Sequence, residues 1–125
     1  MKTKLKLPEG FRIERDKSIE NAFYFYQIPN QLNKSNSFTS LKSLIEDCIS
    51  YDDRLKKLEK IKSKLKSGFN IEVPINDSVN HLYYKREIIA SSGIIEELVT
   101  IADRAETNFE LMNRLNNGEE IELNS

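Results

Sequence analysis

The chain has 125 residues, one domain's length, and 36 of them are Leu, Ile, Val or Phe, enough for a core. Its 19 basic and 20 acidic side chains nearly cancel, so no global charge argues for nucleic acid or a membrane surface. A single cysteine excludes an intramolecular disulfide framework, and Cys48 with His81 as the only soft ligands does not make a zinc site.

Other classes fall to simple tests. No apolar run approaches the roughly 18 residues of a membrane span. The opening MKTKLKLPEG has no apolar core segment, so no signal peptide is expected. No phosphate-loop, dinucleotide-fingerprint or zinc-peptidase motif occurs. The expectation is a soluble cytoplasmic protein without metal or cofactor.

In chain order, residues 1–28 read as β-rich. Lys2, Lys4 and Lys6 alternate with Thr3, Leu5 and Leu7, the pattern of an edge strand guarded by lysines. Pro8-Glu9-Gly10 is a turn. Phe11 and Ile13 alternate with Arg12 and Glu14, and Ala22 to Ile28 is dense in aromatics, so 11–28 predicts a hairpin. One pair of Phe23/Phe25 and Tyr24/Tyr26 must face the core. The other is an interface patch if left open, or further core if covered. Residues 29–37, PNQLNKSNS, predict a flexible polar loop.

Residues 38–68 predict a long helix capped by Ser37 or Thr39. Leu41, Leu44, Cys48, Tyr51, Leu55, Leu58 and Leu65 fall at spacings of three and four, broken only at Lys62. Gly68 suits the residue after its C-terminus, and Asp52 or Asp53 could cap a second helix if it breaks. Residues 70–75 alternate as a short strand that Pro74 places near an edge. Residues 78–117 read as helical, ambiguously so at 78–90. There Val79, Leu82, Tyr83, Arg86 and Ile89 fit a helical face, yet the same residue types suit a strand paired to 70–75. From Ile94 on, Ile95, Leu98, Ala102, Ala105, Phe109 and Met112 keep the helical spacing to Asn117-Gly118. Residues 119–125 form a tail or a short last strand. The fold class is α+β: a small antiparallel sheet from an N-terminal hairpin, packed with two long amphipathic helices. A 28-residue helix would be about 42 Å long, so the pair reads as a helical hairpin prone to homo-oligomerise through Leu55, Leu58, Leu98, Ala102, Ala105, Phe109 and Met112.

The near-neutral total hides segregation. Seven bases and one acid lie between Arg54 and Lys66, and eight acids and two arginines between Glu96 and Glu122. In one reading the basic and acidic helices lie antiparallel with complementary rims, within one chain or between neighbours. In the other the basic face, with Arg54, Lys56, Lys57, Lys60 and Lys64, meets phosphate. Tyr83, Tyr84, Lys85 and Arg86 combine aromatic rings and cations, as single-stranded nucleic-acid or nucleotide sites do, although Tyr83 in a core with Lys85 and Arg86 solvated is the simpler and favoured arrangement. The acidic helix could also imitate a phosphate backbone.

His81 could serve as a general base only with a nucleophile or an orienting acid beside it. Cys48, on an apolar stripe, reads as a small buried hydrophobe. Fourteen Ile, 13 Lys and 12 Asn against four Ala suit an AT-rich coding sequence. The leading expectation is a non-enzymatic binding protein, a phage or mobile-element accessory protein that inhibits a host system by occupying a protein partner or sequestering a small anionic, nucleotide-like ligand. The alternatives are a nucleic-acid-binding regulator using the basic helix and a small hydrolase with His81 as base.

Overall fold

The computed structural model describes residues 4–122. The order is β1 (Phe11–Arg15), β2 (Phe23–Gln27), α1 (Leu41–Ile61) continued by a 3₁₀ turn (Lys62–Lys64), β3 (Phe69–Glu72), β4 (Asn80–Tyr84), β5 (Glu87–Ser92) and α2 (Ile95–Asn116). The fold is α+β, with a two-stranded sheet β1-β2 and a three-stranded sheet β3-β4-β5, both antiparallel. Among the described residues no helix is long and apolar enough to cross a membrane.

The hairpin forms as its alternation predicts, with Ile13 opposite Phe25. Phe11 and Phe25 turn to α1 and build a first core with Leu44, Cys48, Tyr51 and Ile75. Three edge-on or tilted contacts link Phe11, Phe25 and Tyr51 at 6.0–6.3 Å between ring centres. On the opposite face the Tyr24 and Tyr26 hydroxyls donate to the Glu14 carboxylate at 2.9 and 3.1 Å, and Gln31 Nε2 donates to it at 2.7 Å. The Tyr24 hydroxyl is the leading reason that the Glu14 carboxyl titrates below its usual range.

The loop at 29–37 is not the free segment its composition predicts. Ser35 N donates to Phe25 O at 2.9 Å, Ser35 Oγ accepts from Phe25 N at 3.0 Å, and Phe23 and Phe38 exchange two backbone bonds. The outer edge of β2 needs partners for its peptide groups, and this polar segment supplies them. Asp16 fastens its far end, accepting from the Ser18 N–H at 3.0 Å, the Ser18 hydroxyl at 2.6 Å and the Ser37 hydroxyl. Those bonds, the Ser18 hydroxyl first, lower its carboxyl to about 2. A depressed folded-state value stabilises the fold above the ordinary carboxylate range, and that contribution is lost as pH falls through about 2. Asp16→Asn is therefore expected to flatten the dependence of urea-unfolding stability on pH between about 4 and 2.

Helix α1 is capped by Ser40, whose Oγ accepts from Ser43 N at 3.2 Å, and it runs unbroken through Asp52-Asp53. It gives way to the 3₁₀ turn at Lys62, where the apolar stripe breaks. Gly68 (φ 93°) lies beyond the helix, in the turn that opens β3.

Three expectations are corrected. Of the two alternatives at 78–90, the helix fails and the strand paired to the 70–75 segment holds: residues 80–84 form β4 and residues 87–90 begin β5. Asn80 and Leu82, two apart, are both fully buried, and Lys85 adopts the left-handed conformation (φ 57°) that no helix tolerates. Residues 4–7 form no strand, while Lys2, Thr3 and residues 123–125 lie outside the described part; residues 119–122 follow the tail alternative. The helices are not an antiparallel hairpin. Lys57 pairs with Glu96 at 3.8 Å and Lys66 with Glu106 at 4.0 Å, so the two segments advance in the same direction. Three antiparallel strands separate them, and an odd number of strands returns the chain to its original heading.

The second core joins Ile71 and Leu82 of the sheet to Ile95, Leu98 and Ala102 of α2, and Leu58, Ile61 and Leu65 close one side. Val73 packs against both cores.

Candidate anion-binding site

The parallel packing sorts the basic run into two groups. Arg54 turns inward: Nη1 donates to Asn80 Oδ1 at 3.0 Å and Nη2 to the Pro74 carbonyl at 3.4 Å, with the guanidinium 5.6 Å from the Tyr51 ring centre. Asn80, fully buried, passes the chain on to the Ser92 carbonyl at 3.1 Å. Arg54 is thus a strut between α1 and the second sheet rather than an open phosphate contact. Lys56 pairs with Asp52 at 3.0 Å, a bond that raises its pKa, and Lys57 and Lys66 meet the α2 acids. Such exposed pairs add little to stability, but each shields a cation. Lys60, Lys62 and Lys64 have no carboxylate within ion-pair distance among the described residues.

The second basic segment arrives at the same end of the molecule. β3 begins where α1 and its 3₁₀ turn finish, and β4 runs antiparallel to β3, with Phe69 opposite Tyr84. The two residues after Tyr84, Lys85 and Arg86, are therefore the turn beside Gly68, and Lys85 N donates to Gly68 O at 2.7 Å. Both cations are exposed and neither has an ion-pair partner among the described residues. Lys85 holds φ 57°, where Gly or Asn would be relaxed. A concavity of about 480 Å³ is lined by Tyr84, Lys85, Arg86 and Glu87. Five cations without an ion-pair partner among the described residues, from segments 20 residues apart in sequence, share this end.

The remaining predicted residues separate. Tyr84 packs between Phe69 and Phe109, with ring centres at 4.8 and 4.7 Å, and Lys85 Nζ lies 5.4 Å from its ring centre. It buttresses the turn. Tyr83 points to the other face of the sheet. There His81 Nδ1 lies 2.7 Å from Ser91 Oγ, but no described carboxylate is within ion-pair distance of the ring. Cys48 is fully buried in the first core, and that burial pushes its thiol up to about 12, so it does not meet His81. No group of three or more His, Cys, Asp or Glu that could hold a metal occurs among the described residues.

The chain's own interior claims most of the predicted oligomer contacts. Leu98 and Ala102 are buried in the second core, Leu55 and Leu58 pack against the first and second cores, Phe109 lies on Tyr84, and Ala105 is half-buried. The sheet that replaces the predicted helix at 78–90 supplies the surface those residues needed. Only Met112, with Leu115 one turn on, remains about half exposed, each at 49%.

Sequence reasoning missed Asn80 and passed over Lys62. The break that Lys62 makes in the apolar stripe is the signal that it points outward. Also unforeseen is a cleft of about 400 Å³ beside α1, where Glu46, Asp47 and Asp53 face Arg54 and Lys57. Its charges nearly balance and its arginine is engaged, so it offers no net field to an anion. Compared with known proteins, the chain matches no family model, no curated protein and no solved structure.

Proposed function

We propose that the protein is a non-catalytic binding protein that holds a phosphate-rich anionic ligand at the end formed by Lys60, Lys62, Lys64, Lys85 and Arg86. One observation carries this reading: the backbone bond from Lys85 to Gly68, which joins the 85–86 turn to the foot of the basic helix. Cations already held by carboxylates have little left for a ligand. These five are free of such partners among the described residues and bring their full charge to a phosphate. Such a protein acts by stoichiometric occupancy, in keeping with an accessory or inhibitory role.

The test is a titration of fluorescently labelled inorganic polyphosphate at several salt concentrations. Binding is expected to weaken with salt at a log–log slope of about −3, the counterion release of four to five contacts. Absence of binding at low salt, or a slope near zero, contradicts the reading.

A further inference from the structure

We propose that the ligand of the basic end is single-stranded nucleic acid, whose bases lie on the outer face of β3-β4-β5 while its phosphates meet the 62–64 and 85–86 cations. This rests on the reading of the basic end given above and names its ligand class.

Helix α2 covers one face of the sheet, over Leu82 and Ala90. The other face is uncovered, with Asn70, Glu72, Ile88 and Ser91 exposed and His81 and Tyr83 half-exposed. The register arranges these six side chains in two cross-strand rows. Tyr83 stands between Asn70 and Ile88, and His81 between Glu72 and Ser91. The first row offers an aromatic face with an apolar neighbour, the surface on which an unpaired base stacks regardless of its identity. The second offers donors and acceptors at the height of base edges, with the His81–Ser91 contact fixing the imidazole.

Charge divides the labour. Glu72 is the one acid among the six, so the sheet face repels phosphate yet accepts base amino groups. Burial first and the Glu72 charge second raise the Tyr83 phenol above its ordinary value. The phosphates are left to the basic end, which Tyr83 adjoins. Lys85 is two residues along the same chain, its Cα about 7 Å from that of Tyr83 at 3.3 Å per residue; its ammonium leans on the Tyr84 ring of the opposite face, so a strand reaches it by passing round the turn. A base on Tyr83 and a phosphate at the turn are thus held together. A duplex hides its base faces and cannot use the sheet.

The experiment is fluorescence anisotropy with a 12-nucleotide single strand, as DNA and as RNA, and with its duplex. Polyphosphate binding is followed in parallel. The single strand is expected to bind at least about tenfold tighter than the duplex. Tyr83→Ala is expected to weaken the single strand about tenfold and to leave polyphosphate binding unchanged. Tyr83→Phe retains affinity. Tyr83→Val, β-branched and strand-compatible, loses it, which separates stacking from folding. Equal binding of strand and duplex, or no effect of Tyr83→Ala and Tyr83→Val, overturns this inference and leaves the basic end as a general polyanion site. Failure to bind any polyanion overturns both.

Discussion

Reversing Lys60, Lys64, Lys85 and Arg86 together to Glu is expected to weaken polyanion binding at least about a hundredfold at low salt and to flatten its salt slope from about −3 to about −1 or shallower, the share left to Lys62. Each cation that displaces a counterion contributes on the order of tenfold in dilute salt, so even partial engagement of the four gives a large loss. Reversal at Lys56 and Lys57 is the contrasting case. Asp52 and Glu96 already hold those two lysines, so their reversal should cost binding little. The sequence taken as a uniform basic face makes the opposite forecast, because Lys56 and Lys57 belong to the run as fully as Lys60 and Lys64 do. Lys85→Gly adds a control for folding. It removes the charge from a position with φ 57°, where glycine is the relaxed residue. A loss of affinity with stability kept or increased assigns the effect to the charge.

Leu82→Ala is expected to lower unfolding stability by about 2–5 kcal/mol, with an unchanged urea m-value. Leu82 is fully buried, opposite Ile71 on one side and Ala90 on the other, beneath α2. Truncation leaves a cavity that β-strands on both sides prevent from closing. Ile88 on the same sheet is 53% exposed on the outer face, and Ile88→Ala should fall within about 0.5 kcal/mol of the parent. The contrast between the two variants reads out directly which face of the sheet is covered.

The two helices were legible because their evidence is local. Leu44, Cys48 and Tyr51, or Leu98 and Ala102, show the 3.6-residue period without reference to the rest of the chain. The first hairpin was legible for the same reason in Phe23 to Tyr26. The second hairpin was legible only as one of two alternatives. Val79, Leu82, Tyr83 and Arg86 meet the helical spacing by coincidence, and what decides for strands is pairing to β3, some ten residues away, together with the left-handed backbone at Lys85. The loop at 29–37 was legible as a polar loop; its bonding to β2 was not, since polar residues such as Ser35 bond a strand edge as readily as they meet water.

The candidate site divides along the same line. That Arg54 to Lys66 is basic is plain from the sequence. Which of its cations are neutralised depends on the parallel arrangement of α1 and α2, and that follows from the number of strands between them. With residues 80–84 and 87–92 as strands, Leu98 and Phe109 acquire partners within the chain.

The most direct test of the central claim, that residues 60–64 and the 85–86 turn form one anion site, is amide chemical-shift mapping during a polyphosphate titration at low salt. The account predicts that amides at 62–68 and 84–87 shift together along a single binding curve, while those of residues 54–57 stay in place. Shifts confined to one of the two segments, or centred on residues 54–57, would contradict it.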